Sequence, residues 1–167
     1  MIRFGLNSLL LAGLLACTPT LNWREVTLDR LTVLLPCKPD RAQRTVQLGV
    51  AEVAMEMAGC EAGDALYAVS HVRISNTDEP KAVVQKWQTV ALGNLQSSTP
   101  QSLPWATPKG ADAVLRLAAT GRRANGEAVA AQWAWLTSGS DIYHVAVYSK
   151  KLAPEQSDTL FSDLKIQ

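Results

Sequence analysis

From Trp23 onward, apolar side chains recur at roughly every second position in one short run after another. This period of two commits most of the chain to β-strands that each present one face to a core. Trp23/Val26/Leu28 and Leu31/Val33/Leu35 are the first two runs, split by Asp29-Arg30. Pro36-Cys37-Lys38-Pro39-Asp40 ends the second, because each proline removes a backbone donor. Residues 44–57 alternate with a change of phase: Val46, Leu48 and Val50 share one parity, Val53, Met55 and Met57 the other. A tight turn or bulge near Gly49 to Ala51 reconciles them, since one inserted residue flips the facing. Gly59 and Gly63 bracket a reversal, and Leu66 to Ile74 is the next strand. Further on, Ala113 to Arg123 turns at Asn125-Gly126, Glu127 to Leu136 follows, and Ser138-Gly139-Ser140-Asp141 leads into Ile142 to Ser149. Asn-Gly is a strong hairpin signal because both residues accept positive φ.

Two stretches break the period. Asn76-Thr77-Asp78-Glu79-Pro80 reads as a helix start, with a capping side chain, an early acid and a proline in the first turn. Val83, Val84, Trp87, Val90, Ala91 and Leu95 then lie on one helical stripe. Pro154 opens a shorter helix bearing Leu160, Phe161 and Leu164. Between helix and meander, residues 96–112 form a long connection punctuated by Pro100, Pro104 and Pro108. A connection of this length without structure leans towards function or disorder. The expected fold class is α+β: an antiparallel β-sheet of about six strands flanked by two helices, in one domain over residues 23–167.

The residues before that domain have another character. Met1-Ile2-Arg3 is a short cationic start, and residues 4–16 are apolar apart from Asn7 and Ser8. That is the length of a secretory h-region and too short to span a bilayer as a helix. Leu14-Leu15-Ala16-Cys17 resembles the lipobox of bacterial lipoprotein precursors. The resemblance implies a signal peptide over residues 1–16, cleavage after Ala16, and a diacylglycerol (with amine acylation such as palmitate) on Cys17. Residues 17–22 become a lipidated tether, and at about 3.3 Å per residue they hold the domain close to the membrane surface. Thr18 in place of aspartate resembles the sorting signal for release to the outer membrane. The implied localisation is the cell envelope, lipid-anchored, on the outer membrane facing the periplasm. The alternative is an ordinary signal peptide that happens to end in a cysteine.

The order of strands, one long amphipathic helix, a three-strand meander and a C-terminal helix, with Leu31-Thr32-Val33-Leu34-Leu35-Pro36-Cys37-Lys38-Pro39 near its start, resembles the PsbP-like fold. The ending Leu160-Phe161-Ser162-Asp163-Leu164-Lys165-Ile166 resembles the terminal helix and last short strand of that family. The likeness covers residues 23–167. It implies an antiparallel sheet flanked by helices and a life of docking to membrane complexes, and it carries over no catalytic residue.

Charge narrows the partners. The chain has 16 basic and 15 acidic residues, and Arg3 is the one charge in the leader, so the mature domain is neutral. Nucleic-acid binding rests on clustered Lys and Arg, and a neutral chain with only Arg122-Arg123 and Lys150-Lys151 as basic spots excludes it. Cys37 and Cys60 are the thiols left beside Cys17. Outside the cytoplasm an even pair is expected to bridge, the alternative being two separate buried thiols. Zinc held by these cysteines with His71 and His144 is disfavoured, because no two of the four are close in sequence. Both histidines sit mid-strand, where a hydrogen-bonded sheet histidine is the ordinary reading.

No motif asks for catalysis or for a cofactor. There is no G-x-S-x-G elbow and no phosphate-cradling glycine loop, and Glu52 and Glu56 fall on the outward parity of a strand. Trp133 and Trp135 share one sheet face, either as core or as a sugar platform, with core packing against a helix preferred. Leu103-Pro104-Trp105 interrupts the polar connection, and Trp105 either anchors it to the sheet or serves as a partner contact. The expectation is a non-enzymatic envelope lipoprotein that docks to a protein partner through Leu103 and Trp105. The rivals are a small-ligand or glycan module using Trp133, Trp135 or Trp105, and an enzyme of unrecognised type.

Overall fold

The computed structural model describes residues 20–48, 51–75, 78–96 and 99–167. The lipobox with Cys17, residues 49–50 of the expected turn or bulge and residues 76–77 of the expected helix start therefore lie outside the described residues.

The two opening runs form β1 (Arg24–Leu28) and β2 (Leu31–Leu35), a hairpin with Val26 opposite Val33. The long alternating stretch forms β3 (Asp40–Leu48) and β4 (Ala51–Ala62), paired antiparallel with Leu48 opposite Ala51, so the change of phase falls between two strands. Strand β5 (Ala65–Arg73) follows, then helix α1 (Pro80–Asn94). Next come β6 (Gln101–Ser102), β7 (Ala113–Arg122), β8 (Ala128–Ser138) and β9 (Asp141–Ser149). Helix α2 (Pro154–Ser162) and β10 (Lys165–Ile166) close the chain.

The architecture is α+β, but the single sheet of about six strands becomes two sheets. One has seven strands in the order β3-β4-β5-β9-β8-β7-β6, the other three in the order β1-β2-β10, and every neighbouring pair is antiparallel. The first hairpin leaves the main sheet because β2 is buried at Leu31, Thr32, Val33 and Leu35 alike. Its hairpin packs with Leu160, Phe161, Leu164 and Ile166 against one face of the main sheet, joining Tyr67, Val69, Tyr143, Val145 and Val147 in one core. The other face is covered by α1, whose Val83, Val84, Trp87 and Ala91 meet Trp133, Trp135, Ile142 and Ala146. The order of layers is α1, large sheet, then small sheet with α2.

Several local expectations are corrected. Helix α1 begins at Pro80 with Glu79 as a cap that makes no side-chain hydrogen bond, and its first turn holds no acid. Val90, placed on the buried stripe by its spacing, is 49% exposed. The connection 96–112 is partly ordered as sheet edge: Gln101 and Ser102 pair with Ala118 and Leu117, and the Leu103 amide donates to the Arg116 carbonyl at 2.9 Å. At the Asn125-Gly126 turn only Gly126 takes positive φ (84°), while the Asn125 side chain accepts from the Glu127 amide at 3.1 Å. No helix among the described residues is long and apolar enough to cross a membrane.

Three ties hold the layers in register. Cys37, just beyond β2, is bonded to Cys60 in β4, with Cα atoms 6.0 Å apart. Gln156, buried on α2, donates to the Gly63 carbonyl at 2.6 Å and accepts from the Ala153 amide at 2.9 Å, so it fixes α2 to the β4–β5 turn. The Arg122 amide donates to the Leu95 carbonyl at 2.8 Å, joining the end of α1 to β7. A disulfide closing a span of 23 residues restricts the unfolded chain by about 3 kcal/mol. Cys37→Ser with Cys60→Ser is expected to lower unfolding free energy by that amount, measured by urea titration. Intact mass after alkylation, with and without reductant, checks the bond itself; two alkylated thiols in the unreduced protein would refute it.

Candidate functional site

The densest group of ionisable side chains gathers where the β1–β2 turn meets the end of β5 and the start of β9. Antiparallel pairing sets His71 opposite Tyr143 and Arg73 opposite Asp141. All four share the parity of Tyr67, Val69 and Val145, so they project towards the small sheet rather than towards α1. From that side the two-residue turn brings Asp29, in the left-handed region at φ 50°, and Arg30. Aspartate tolerates this conformation better than most residues.

Asp141 is the hub. It is 5% exposed, and both its oxygens are used. Oδ1 accepts from His71 Nε2 at 2.9 Å and from Arg73 Nε at 2.8 Å. Oδ2 accepts from Arg30 Nη2 at 2.7 Å and from Arg73 Nη2 at 3.3 Å. An ionised carboxylate only accepts, so His71 carries its proton on Nε2. Burial works to raise the Asp141 pKa, but the hydrogen bonds from Arg73, His71 and Arg30 outweigh it and hold the carboxyl well below the usual range.

Asp29 behaves in the same way. Burial opposes ionisation, while the Tyr143 hydroxyl, donating at 2.6 Å, and the Arg30 amide lower its pKa. Tyr143 is pushed up, by burial first and then by its bond to Asp29. The His71 ring stacks on Tyr143 with centroids 4.9 Å apart and planes 23° apart. Arg30 also donates to the Gln167 carbonyl at 3.3 Å, and the Gln167 amide donates back to the Arg30 carbonyl at 3.0 Å. Hairpin, large sheet and the last residue are thus tied at one point.

Asp29, His71 and Asp141 present ligand atoms within 4.8 Å of one another, so a metal is the first chemistry to test. The donor set does not fit one. Asp141 already accepts four N–H bonds, the near oxygen of Asp29 is taken by Tyr143, and His71 Nε2 is protonated. Two guanidinium groups beside the carboxylates would also repel a dication. A carboxylate-oriented imidazole can activate a nucleophile when its free nitrogen reaches one. Here Nε2 is the nitrogen held by Asp141, and the bonds that join the β1–β2 turn to β5 and β9 form a lock between layers. Arg30 and Arg73 keep much of their surface in water, with side chains 43% and 63% exposed.

The residues singled out by sequence fall elsewhere. Trp105 is half-buried and donates from Nε1 to the Phe161 carbonyl at 3.1 Å, meeting the Phe161 ring edge-on with centroids 6.1 Å apart. It therefore ties its loop to α2, and a neighbouring cleft of about 550 Å³ opens between Trp105, Lys109, Arg116 and Asp158. Leu103 is half-buried beside the sheet edge. The Arg116 guanidinium lies 4.4 Å from the Phe161 ring centre and donates to Gln132 at 2.8 Å. Trp133 and Trp135 are 0% and 1% exposed beneath α1, so a surface sugar platform on that pair is excluded. His71 and His144 project from opposite faces of the main sheet, and the cysteines are spent on each other, which removes the zinc set.

Asp29, Arg30, Arg73, Asp141 and Tyr143 were not recognised from sequence as a group. The available signal was parity: Asp141 and His71 sit at inward positions, and an inward carboxylate demands partners.

No family model matches the chain, and no curated protein matches it. Among solved structures, a protein of unknown function from Pseudomonas aeruginosa aligns at 14% identity over 80% of this chain and 85% of that one, with a TM-score of 0.39.

Proposed function

We propose that this chain is a lipid-anchored envelope domain, non-enzymatic, that docks to a protein partner from the membrane surface. The observation that supports it furthest is the use of its cysteines. Cys37 and Cys60 bond to each other, and such bonds persist outside the cytoplasm. That leaves Cys17, the remaining thiol, at the end of an apolar leader with the lipobox pattern. Two or three acyl chains there give durable anchoring, and the outer membrane facing the periplasm is the proposed address. The element order, with one long helix, the meander, a terminal helix and a last short strand, suits a PsbP-like reading of the fold. The hydrogen-bond saturation of Asp141 favours a structural over a catalytic cluster.

The docking surface is proposed at the connection around Leu103 and Trp105, beside the cleft against α2. Loops on a rigid scaffold are where binding residues concentrate, and a half-exposed tryptophan is a strong anchor. Because Trp105 also packs, two substitutions separate its roles. Trp105→Ala is expected to lower stability by about 2 kcal/mol through lost ring contact and hydrogen bond. Ala106→Arg, at an exposed neighbouring position, is expected to leave the melting temperature unchanged yet reduce partner recovery several-fold. Crosslinking and affinity capture of the lipidated protein from its own membranes reads this out. Equal recovery by wild type and Ala106→Arg would remove the loop as the docking surface.

A further inference from the structure

The chain enters the domain at a fixed place. The Asn22 amide donates to the Pro36 carbonyl at 2.8 Å, and methyl groups of Thr20 and Leu21 lie beside Gly63 in the β4–β5 turn. Thr20 and Leu21 share that cleft with Asp64, Lys150, Lys151 and Glu155. Thr18 and Pro19 alone separate Thr20 from Cys17 in the sequence. At about 3.3 Å per residue, the steps from Cys17 to Thr20 reach at most roughly 10 Å. That is close to the distance over which charges act through physiological salt, about 8 Å.

Strand register carries this end of the sheet across to a second basic pair. Ala65, the first residue of β5, faces Ser149, the last of β9. Ser149 faces Ala130 in β8, and Ala128 faces Arg122 at the end of β7. Lys150-Lys151 therefore leaves β9 beside the turn that holds Arg122-Arg123, and Lys150 Nζ lies 3.8 Å from Glu127 in that turn. Arg122, Arg123, Lys150 and Lys151 are all exposed, with Glu127 as the acid between them. Asp64 and Glu155 stand on the other side of the cleft, towards the β4–β5 turn, where Gln156 fixes α2 to Gly63. Lys38 and Asp40, further along that side, offset each other. The end of the sheet is thus positive at its β7–β9 corner and negative at its β4–β5 corner, and the tether leaves between them.

We propose that Arg122, Arg123, Lys150 and Lys151 form a contact for anionic lipid headgroups that fixes how the domain sits on the membrane. This rests on the reading of Cys17 as the lipid anchor: the acyl chains supply the attachment, and the cations supply the orientation. An anchor alone lets the domain pivot about Thr20. Basic side chains are drawn to an anionic surface, and a short tether keeps them at high effective concentration beside it, so weak contacts suffice. The positive corner turns down to the headgroups and the acidic corner turns up. Asp141 lies at the far end of β9, roughly 26 Å from Ser149 at about 3.3 Å per residue, and is held away from lipid.

The test uses the acylated protein, labelled with nitrogen-15, in nanodiscs that carry a headgroup nitroxide. Two compositions are compared: phosphatidylcholine alone, and phosphatidylcholine with phosphatidylglycerol in equal parts. Intact mass of the same sample reads the acyl groups on Cys17. The Gly126 and Lys151 amides are expected to broaden several-fold more in the mixture than in phosphatidylcholine, while the Ile142 amide stays sharp in both. Molar salt is expected to remove the difference. Arg123→Glu with Lys151→Glu leaves the Arg122–Gly126 bond and the Lys150–Glu127 pair in place, and is expected to bring the mixture to the phosphatidylcholine level. Should that variant fail to fold, the wild-type comparison of lipids and salt decides the matter. Equal broadening in both lipids, or a difference that survives the double reversal, would overturn the orientation and leave the anchor standing. A double variant that keeps its lipid contact but recovers less of a protein partner would assign the cations to that partner and also overturn it. Protein without acyl groups on Cys17 would remove anchor and orientation together.

Discussion

Replacing Asp141 with alanine is expected to lower the melting temperature by roughly 10 °C, corresponding to about 3 kcal/mol for a domain of this size. The substitution removes four charge-assisted hydrogen bonds at once and leaves the buried His71 without its acceptor. Arg30 and Arg73 can turn to water, so the loss falls short of that for a fully enclosed ion pair. Thermal unfolding followed by circular dichroism measures it. A shift under about 2 °C would show that the hairpin is held by its apolar face alone.

Acid should expose the same dependence. Asp141 and Asp29 both titrate below their ordinary range in the folded protein. A carboxylate depressed by folding contributes stability that is fully present above its unfolded value of about 4 and is lost as pH falls through the folded value. Wild-type protein is therefore expected to weaken progressively below about pH 5, and Asp141→Asn to show a shallower decline over the same window. Parallel pH curves for the two proteins would place the acid-sensitive groups elsewhere.

How far this site was readable from the chain depends on the range of the contacts. Asp29-Arg30 was legible as a break between two strands, because a turn is a local matter of a few backbone angles. Its partner Asp141 lies 111 positions beyond Arg30, and only the pairing of β5 with β9 brings Arg73 and His71 alongside. Alternation gives parity but not register, so the sequence reading described His71 as an ordinary strand histidine. The separation into two sheets was hidden for a related reason. The run from Leu31 to Leu35 shows alternation, yet Thr32 is buried as deeply as its neighbours, and double-sided burial cannot be read from a period of two. Val90 shows the opposite failure. Its spacing put it on the apolar stripe of α1, whereas in the fold it is 49% exposed. The Cys37–Cys60 bond was legible, because an even pair in a chain whose leader predicts export is expected to bridge.

The largest effect of all is expected from Cys17→Ala. A single acyl chain binds membranes only marginally, at about 0.8 kcal/mol per buried methylene, whereas two or three chains hold a protein for its lifetime. All of that attachment is proposed to depend on one sulfur and the amine beside it, since the short tether up to Asn22 offers no other membrane contact of comparable strength. Metabolic labelling with an alkyne fatty acid, followed by capture of the protein, tests this most directly. The account predicts strong label on the wild type, none on Cys17→Ala, and accumulation of the variant as uncleaved precursor. Equal label on both proteins, or a wild type that carries none, would contradict it.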